Sequence, residues 1–211
     1  MAKNMKKIIV IKIGSSVLMT KRNQLDEFRI AHIAKQVSAL KEKGIGIVLV
    51  ISGAVAYGSN FIDLSKNQKQ IRQAAAGIGQ VYTTCTFNNI FNQSKLQLAQ
   101  MLLTKDSFNT DLKRKKIKKL IEFYAESNFI TFINENDVID LNSFGGNDHL
   151  AAEVTRLLNT KKLIILSTWE GSIHGVGGGQ AKQDAIAMLT ESDIEASIVN
   201  GRTKDIILQS I

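Results

Sequence analysis

Lys7-Ile8-Ile9-Val10-Ile11-Lys12-Ile13-Gly14-Ser15-Ser16 joins an apolar run to a polar, glycine-containing break near the start of the chain. Ile8, Ile9, Val10, Ile11 and Ile13 form a nearly continuous apolar run. A strand with one wet face would alternate apolar and polar residues, whereas a continuous run suits a parallel strand covered on both faces. The run takes a single charge, Lys12, at its end, and then breaks into a glycine and two serines. Polar residues at the carboxyl end of such a strand stand where open α/β sheets place their ligands.

Working outward, the same alternation of elements repeats. Asp26 to Lys43 reads as a helix, with Phe28, Ile30, Ile33, Val37 and Leu40 on or near one stripe, and Gly44 and Gly46 close it. Strands are expected at 47–51, 96–103, 129–134, 162–166 and 196–199. Helices are expected at 70–91, 148–159 and 182–190. Strands alternating with helices predict an α/β protein, a three-layer α/β/α sandwich with a mainly parallel central sheet. No internal repeat, low-complexity tract or linker divides the chain, so residues 1–211 are read as one domain.

Composition narrows the function. With 44% hydrophobic and 22% charged residues, the 211-residue chain has the balance of an ordinary globular protein. No apolar run approaches the length of a membrane span. The start, Met1 to Lys7, lacks the pattern of a signal peptide, and the single cysteine, Cys85, permits no internal disulfide; both fit a cytoplasmic setting. The net charge of +8 is concentrated at Lys113, Arg114, Lys115, Lys116, Lys118 and Lys119. There Ile117, Leu120, Ile121 and Tyr124 recur at i, i+3, i+4 and i+7, the spacing of an amphipathic helix with a basic outer face. No aromatic residues interleave with these cations, so a nucleic-acid platform is not expected. The chain contains no proline.

Six segments carry the chemistry. Lys12-Ile13-Gly14-Ser15-Ser16 puts a cation beside a glycine that lets backbone approach phosphate closely. It is not a Walker A loop, and Gly175-Val176-Gly177 is not a dinucleotide fingerprint, because Gln180 stands where the third glycine belongs. Ile51-Ser52-Gly53-Ala54 opens a helix whose free N–H groups favour an anion, although a serine N-cap would read the same. Gln73-Ala74-Ala75-Ala76-Gly77 puts small residues on the first turns of a long helix. In Ile133-Asn134-Glu135-Asn136-Asp137, polar residues directly after an apolar strand are costly unless satisfied. Asp137 suits an α-ammonium group. Phe144-Gly145-Gly146-Asn147-Asp148 begins a helix, where Asp148 is either a cap or the anion that holds two phosphate-binding lysines. Gly177-Gly178-Gly179-Gln180-Ala181-Lys182 combines glycines, helix N–H groups and a lysine. His32, His149 and His174 lack partners at metal-ligand spacing, and no metal site is expected.

In order and spelling these segments resemble the amino acid kinase family, from Lys7 to Arg202. The spellings at 51–54, 133–137 and 144–148 point to the branch that phosphorylates glutamate. The resemblance implies an amino acid kinase-like fold and transfer of the γ-phosphoryl group of ATP, with Mg²⁺, to the side-chain carboxylate of L-glutamate. The product would be the acyl phosphate that starts proline synthesis. It implies catalytic roles for Lys12, Asp148 and Lys182. It implies glutamate binding by Ser52, Gly53, Asp137 and Asn147. The nucleotide would fall to Lys12, Gly14, Ser15, Ser167, Thr168, Gly177, Gly178, Gly179 and Lys182. L-glutamate and ATP are then the partners, without nucleic acid or membrane, and a homo-oligomer is expected.

The chain also departs from the family pattern. Thr131 and Lys204 stand at two positions that are usually proline. Between Leu166 and Lys182 it is far shorter, reading Ser167-Thr168-Trp169-Glu170-Gly171 where the family has Thr-Asp and then a long segment around the nucleotide. The RNA-binding-like C-terminal domain of many relatives does not follow. A second reading therefore stands beside the kinase: a weak or inactive relative that binds glutamate or proline as a regulatory or assembly subunit.

Overall fold

A computed structural model describes residues 7–65, 68–168, 179–189 and 193–211. The elements, in chain order, are β1 (Ile8–Ile13), α1 (Ser15–Leu18), α2 (Glu27–Glu42), β2 (Gly46–Ile51), α3 (Ala54–Gly58), α4 (Lys69–Gln93) and β3 (Leu98–Leu103). A short 3₁₀ turn (Lys105–Phe108) leads to α5 (Asp111–Glu126), β4 (Ile130–Glu135), α6 (Asn147–Leu158), β5 (Lys162–Ser167), α7 (Gly179–Ala187), β6 (Glu195–Asn200) and α8 (Ile206–Gln209). The strands form one six-stranded sheet in the order β3-β4-β2-β1-β5-β6, and every pairing is parallel. The α/β sandwich expected from the sequence is therefore what the chain forms.

The two faces of the sheet build two cores. Ile9, Ile11 and Ile13 of β1 point with Leu49 of β2 and Leu166 of β5 toward Ile33 and Val37 of α2 and Phe87 and Phe91 of α4. Val10, Val50 and Ile165 point the other way, toward Ile121 of α5, Leu150 and Val154 of α6 and Ala185 of α7. Side chains alternate along a strand, so Lys12 shares the face of Val10. It lies beside Val50 on one neighbour and Ile165 on the other, and the α6 layer covers it. Connections leave β1 in one direction and β5 in the other, so the carboxyl end of β1 lies at the switch point where such sheets open a crevice.

Two apolar assignments are corrected. Phe28, expected on the buried stripe of α2, is 78% exposed; it falls on the first turn, before the helix meets the sheet. Leu120 is 39% exposed, and the buried line of α5 is Ile117, Ile121 and Ala125. The helix touches the sheet along a stripe narrower than its apolar positions would allow. Part of its basic charge is paired within the chain: Lys113 lies 2.5 Å from Asp106 and Arg114 lies 2.6 Å from Glu153 of α6. No helix among the described residues is long and apolar enough to cross a membrane.

Candidate functional site

A cavity of about 470 Å³ opens at the carboxyl ends of β1, β2 and β4. Its lining includes Lys12, Gly14, Ser15, Ser52, Gly53, Asp137, Asn147, Asp148 and Lys182. Residues drawn from five separate sequence segments thus share one wall.

Asp148 is the centre. It stands on the first turn of α6, only 2% exposed, with one carboxylate oxygen 2.7 Å from Lys12 Nζ and the other 3.7 Å from Lys182 Nζ. Lys12 is itself 4% exposed. Burial pushes the Lys12 ammonium down from its ordinary value; the charge and hydrogen bond of Asp148 oppose that, and the nearby charge of Lys182 reinforces it. A buried cation beside a like charge is tolerable only because the carboxylate sits between them. An anion entering the cavity would add a second compensating charge.

Backbone geometry brings α6 to this place. Gly145 and Gly146 have φ of +78° and +120°, values that side-chain-bearing residues rarely adopt, and they turn the chain into the helix. The loop is tied to β4 by Glu135, whose carboxylate accepts from Phe144 N at 2.7 Å and from Ser143 Oγ at 3.1 Å. Glu135 N donates to Asn147 Oδ1 at 3.1 Å, which fixes that amide and leaves its Nδ2 without a partner among the described residues. Burial raises the Glu135 carboxyl above the ordinary carboxylate range; the Phe144 N–H works against that, Asp137 adds to it, and the Ser143 hydroxyl again opposes it. Sequence reasoning passed over Glu135 as a site residue. Its signal was present, a carboxylate placed directly after a buried strand.

Asp137 and Arg72 also line the cavity, near enough for the Arg72 charge to act on the carboxylate. Asp137 Oδ1 accepts from Asn142 N at 2.9 Å. Burial raises the Asp137 carboxyl, against the pull of that N–H and of the Arg72 charge. Arg72, on the first turn of α4, was not anticipated; a cation just before Gln73, on a turn that also holds Lys69, carries no local pattern. Asn134 is spent structurally, donating from Nδ2 to Gln80 Oε1 of α4 at 2.6 Å.

Two glycines shape the remaining wall. Gly14 N donates to Leu166 O at 3.0 Å, and a Cβ at Gly14 would meet that oxygen at 3.1 Å. Gly53, with φ of +107°, turns β2 into α3. Ser167 and Thr168 do not line the cavity: Ser167 is the buried last residue of β5, and Thr168 N donates to Ser16 Oγ at 3.4 Å, one layer behind. Gly177 and Gly178 lie outside the described residues; Gly179 begins α7. Among the described residues no group of three His, Cys, Asp or Glu side chains could hold a metal ion. Both oxygens of Asp148 face ammonium groups, so a divalent cation here would have to arrive on phosphates that supply most of its ligands.

A parallel sheet with a buried cation–carboxylate–cation cluster at its switch point defines a class, proteins that bind and transfer anionic groups. The comparisons make that class specific. The amino acid kinase family matches residues 7–205, and this chain belongs to that family of phosphotransferases. Glutamate 5-kinase of Clostridium tetani is 30% identical over 238 aligned positions, covering 95% of this chain and 89% of the relative. Glutamate 5-kinase of Syntrophus aciditrophicus is 31% identical, covering 98% of this chain and 63% of the relative. Among solved structures, UMP kinase from Bacillus anthracis superposes with a TM-score of 0.65 at 12% identity, covering 95% of this chain and 90% of that one. An isopentenyl phosphate kinase does so with 0.68 at 15%, covering 96% and 94%. These structural likenesses establish the fold, the amino acid kinase-like α/β/α arrangement.

Proposed function

We propose that this chain transfers the γ-phosphoryl group of ATP to the side-chain carboxylate of L-glutamate, giving L-glutamyl 5-phosphate and ADP, the first step of proline biosynthesis. The observation that carries the reading is Asp148 held between Lys12 and Lys182, in one cavity with Asp137 and Asn147. The glutamate 5-kinases among its relatives favour glutamate as acceptor.

The chemistry needs little beyond placement. A carboxylate is already deprotonated near neutral pH, so no general base is required. Its oxygen attacks the γ-phosphorus, the bond to the bridging oxygen breaks, and the electron pair leaves with ADP. Catalysis then consists of aligning two anions and neutralising charge that spreads over the moving group. Lys12 and Lys182 supply that charge, and Asp148 keeps both ammonium groups in position. Gly14 and Ser15 offer backbone close to the phosphates. Ser52, Gly53 and Asn147 bind the acceptor, and Asp137 pairs with its α-ammonium group. Mg²⁺, arriving on the nucleotide, would supply further charge neutralisation at the phosphates beside Lys12 and Lys182. Ser167 and Thr168 serve the nucleotide side from the end of β5, where Thr168 N donates to Ser16 Oγ.

The test is ATP- and Mg²⁺-dependent formation of glutamyl hydroxamate from L-glutamate and hydroxylamine, with aspartate and N-acetylglutamate as controls. Turnover with glutamate alone is expected. Glutamate binding without turnover would favour the regulatory reading. That reading has one observation in its favour: the alignment to the Clostridium relative spans 238 positions against 211 residues in this chain, so the relative has residues with no counterpart here.

A further inference from the structure

Three cationic side chains line the cavity: Lys12, Lys182 and Arg72. The first two are tied to Asp148. Arg72 makes no hydrogen bond, and no ion pair within 4 Å, to any described residue; it acts on Asp137 only through its charge. Within α4 the other charged residue is Lys69, its first residue, which does not line the cavity. From Gln73 through Ser94, the rest of α4 and its cap, the sequence has no lysine, arginine, aspartate or glutamate. Of the two cations of α4, Arg72 is the one that borders the cavity, on the turn whose Gln73 donates to Val138 O beside Asp137.

We propose that Arg72 binds the α-carboxylate of the acceptor and, with Asp137 on the α-ammonium, selects an L-α-amino acid zwitterion. The assignment rests on the glutamate reading above. Glutamate presents two carboxylates and one ammonium. The side-chain carboxylate has to lie at the Lys12–Asp148–Lys182 end, where the phosphoryl group arrives. The α-carboxylate therefore falls beside the ammonium, and Arg72, the lining cation whose charge acts on Asp137, is the one placed to meet it. Guanidinium groups match carboxylates bidentately, which fixes orientation as well as charge. Asp137, Arg72 and the phosphoryl-transfer end together hold three of the four substituents of Cα. Three fixed points are enough to distinguish one hand of the amino acid from the other. A site built to pair a polar group also rejects an analogue that lacks it, because its own buried partner is left unpaired.

The experiment compares L-glutamate, D-glutamate and L-isoglutamine, which keeps the side-chain carboxylate but carries an amide in place of the α-carboxylate. Turnover and calorimetric affinity are read together on the parent, Arg72→Gln and Arg72→Lys, so a chain that binds without turning over is tested by the same ratios. The parent should prefer L-glutamate to isoglutamine by roughly 10²-fold. Arg72→Gln should lose most of that preference and most of the L-over-D preference, while isoglutamine itself changes by no more than about twofold. Arg72→Lys should recover part of it, and the KM for ATP should not move. Equal loss toward glutamate and isoglutamine, or a raised KM for ATP, would overturn the assignment and leave the kinase reading standing. So would a parent that treats glutamate and isoglutamine alike. A parent that neither binds nor phosphorylates L-glutamate overturns both.

Discussion

Lys12 interrupts a run of isoleucine and valine in the middle of the sheet, and burial lowers its pKa even with a carboxylate at 2.7 Å. Pairing with Asp148 offsets that cost, and the proposed phosphoryl transfer gives the charge a use. Lys12→Met should lower turnover by about 10²–10³ while glutamate affinity changes little, since the lost group stabilises charge that develops on the phosphoryl group. Steady-state rates beside calorimetric titration check the split, and turnover within a few-fold of the parent would make Lys12 a purely structural cation. Asp137 gives a second case with a sign that can be worked out. Its carboxyl is raised in the folded protein, so the native state holds its proton more tightly than the unfolded chain. Its contribution to stability is then full below the ordinary carboxylate value, near about 3.9, and is lost as pH rises through the folded value. Asp137→Asn removes that liability. At neutral pH without ligand the variant should melt no lower than the parent, yet bind glutamate weaker by about 2–5 kcal/mol. A lower Tm together with unchanged glutamate affinity would show that Asp137 serves the fold alone.

The helices α3 and α4 cross in close contact. A Cβ on Gly58 would stand 1.9 Å from Ala75 O, and one on Gly79 would stand 1.8 Å from Ala54 O. The two helices touch backbone to backbone, which explains the small residues on the first turns of α4. The contact fixes α3 against α4, and hence the turn at Ser52 and Gly53 relative to Arg72. Ala at an open helical position is favoured over Gly by about 0.8–1.0 kcal/mol. At Gly79 the added methyl meets backbone that cannot yield, so Gly79→Ala should destabilise by about 1–3 kcal/mol or more and lower activity as α3 is pushed aside. Gly77 is the control: its added Cβ would meet only Val138 Cγ2, at 3.5 Å. Gly77→Ala should be neutral to stabilising. Urea denaturation of the two variants checks this, and similar midpoints would mean that the crossing is looser than its geometry.

At the scale of the whole molecule the site is asymmetric. On the proposed reading, glutamate would be held by β2, β4, α4 and α6, whereas the nucleotide would fall to β1, β5, α7 and a connecting segment that is short in sequence. Phosphates can still find Lys12 and Lys182, and those contacts ignore the base. Apolar contact with adenine contributes about 25 cal/mol per Å² buried, so losing one wall of its pocket should cost a few kcal/mol. ATP and GTP are therefore expected to bind within about tenfold of each other, a gap of roughly 1.4 kcal/mol. Calorimetric titration with ATP, GTP and free triphosphate tests this; tight binding of ATP alone would refute it.

Much of this protein was legible without coordinates. The continuous apolar run at 8–11 called for a parallel strand, glycine and polar breaks located the ligand end of the sheet, and helix periods located the covering layers. These signals are local, set by alternation and by the backbone freedom of glycine. The expected pairing of Lys12, Asp148 and Lys182 came from a resemblance between ordered segments, and the fold brings the three together. Local pattern could not reveal what depends on the crossing of distant elements. Arg72 faces Asp137 across 65 residues of chain, Glu135 clamps the loop that aims Asp148, and Phe28 stays in water despite its place on the stripe. Which face of a helix meets the sheet, and which cation is left unpaired in a cavity, are properties of packing. Local pattern sets the layers and the chemistry that could gather at their ends, whereas packing sets which of those groups meet, because burial and distance are fixed by elements far apart along the chain.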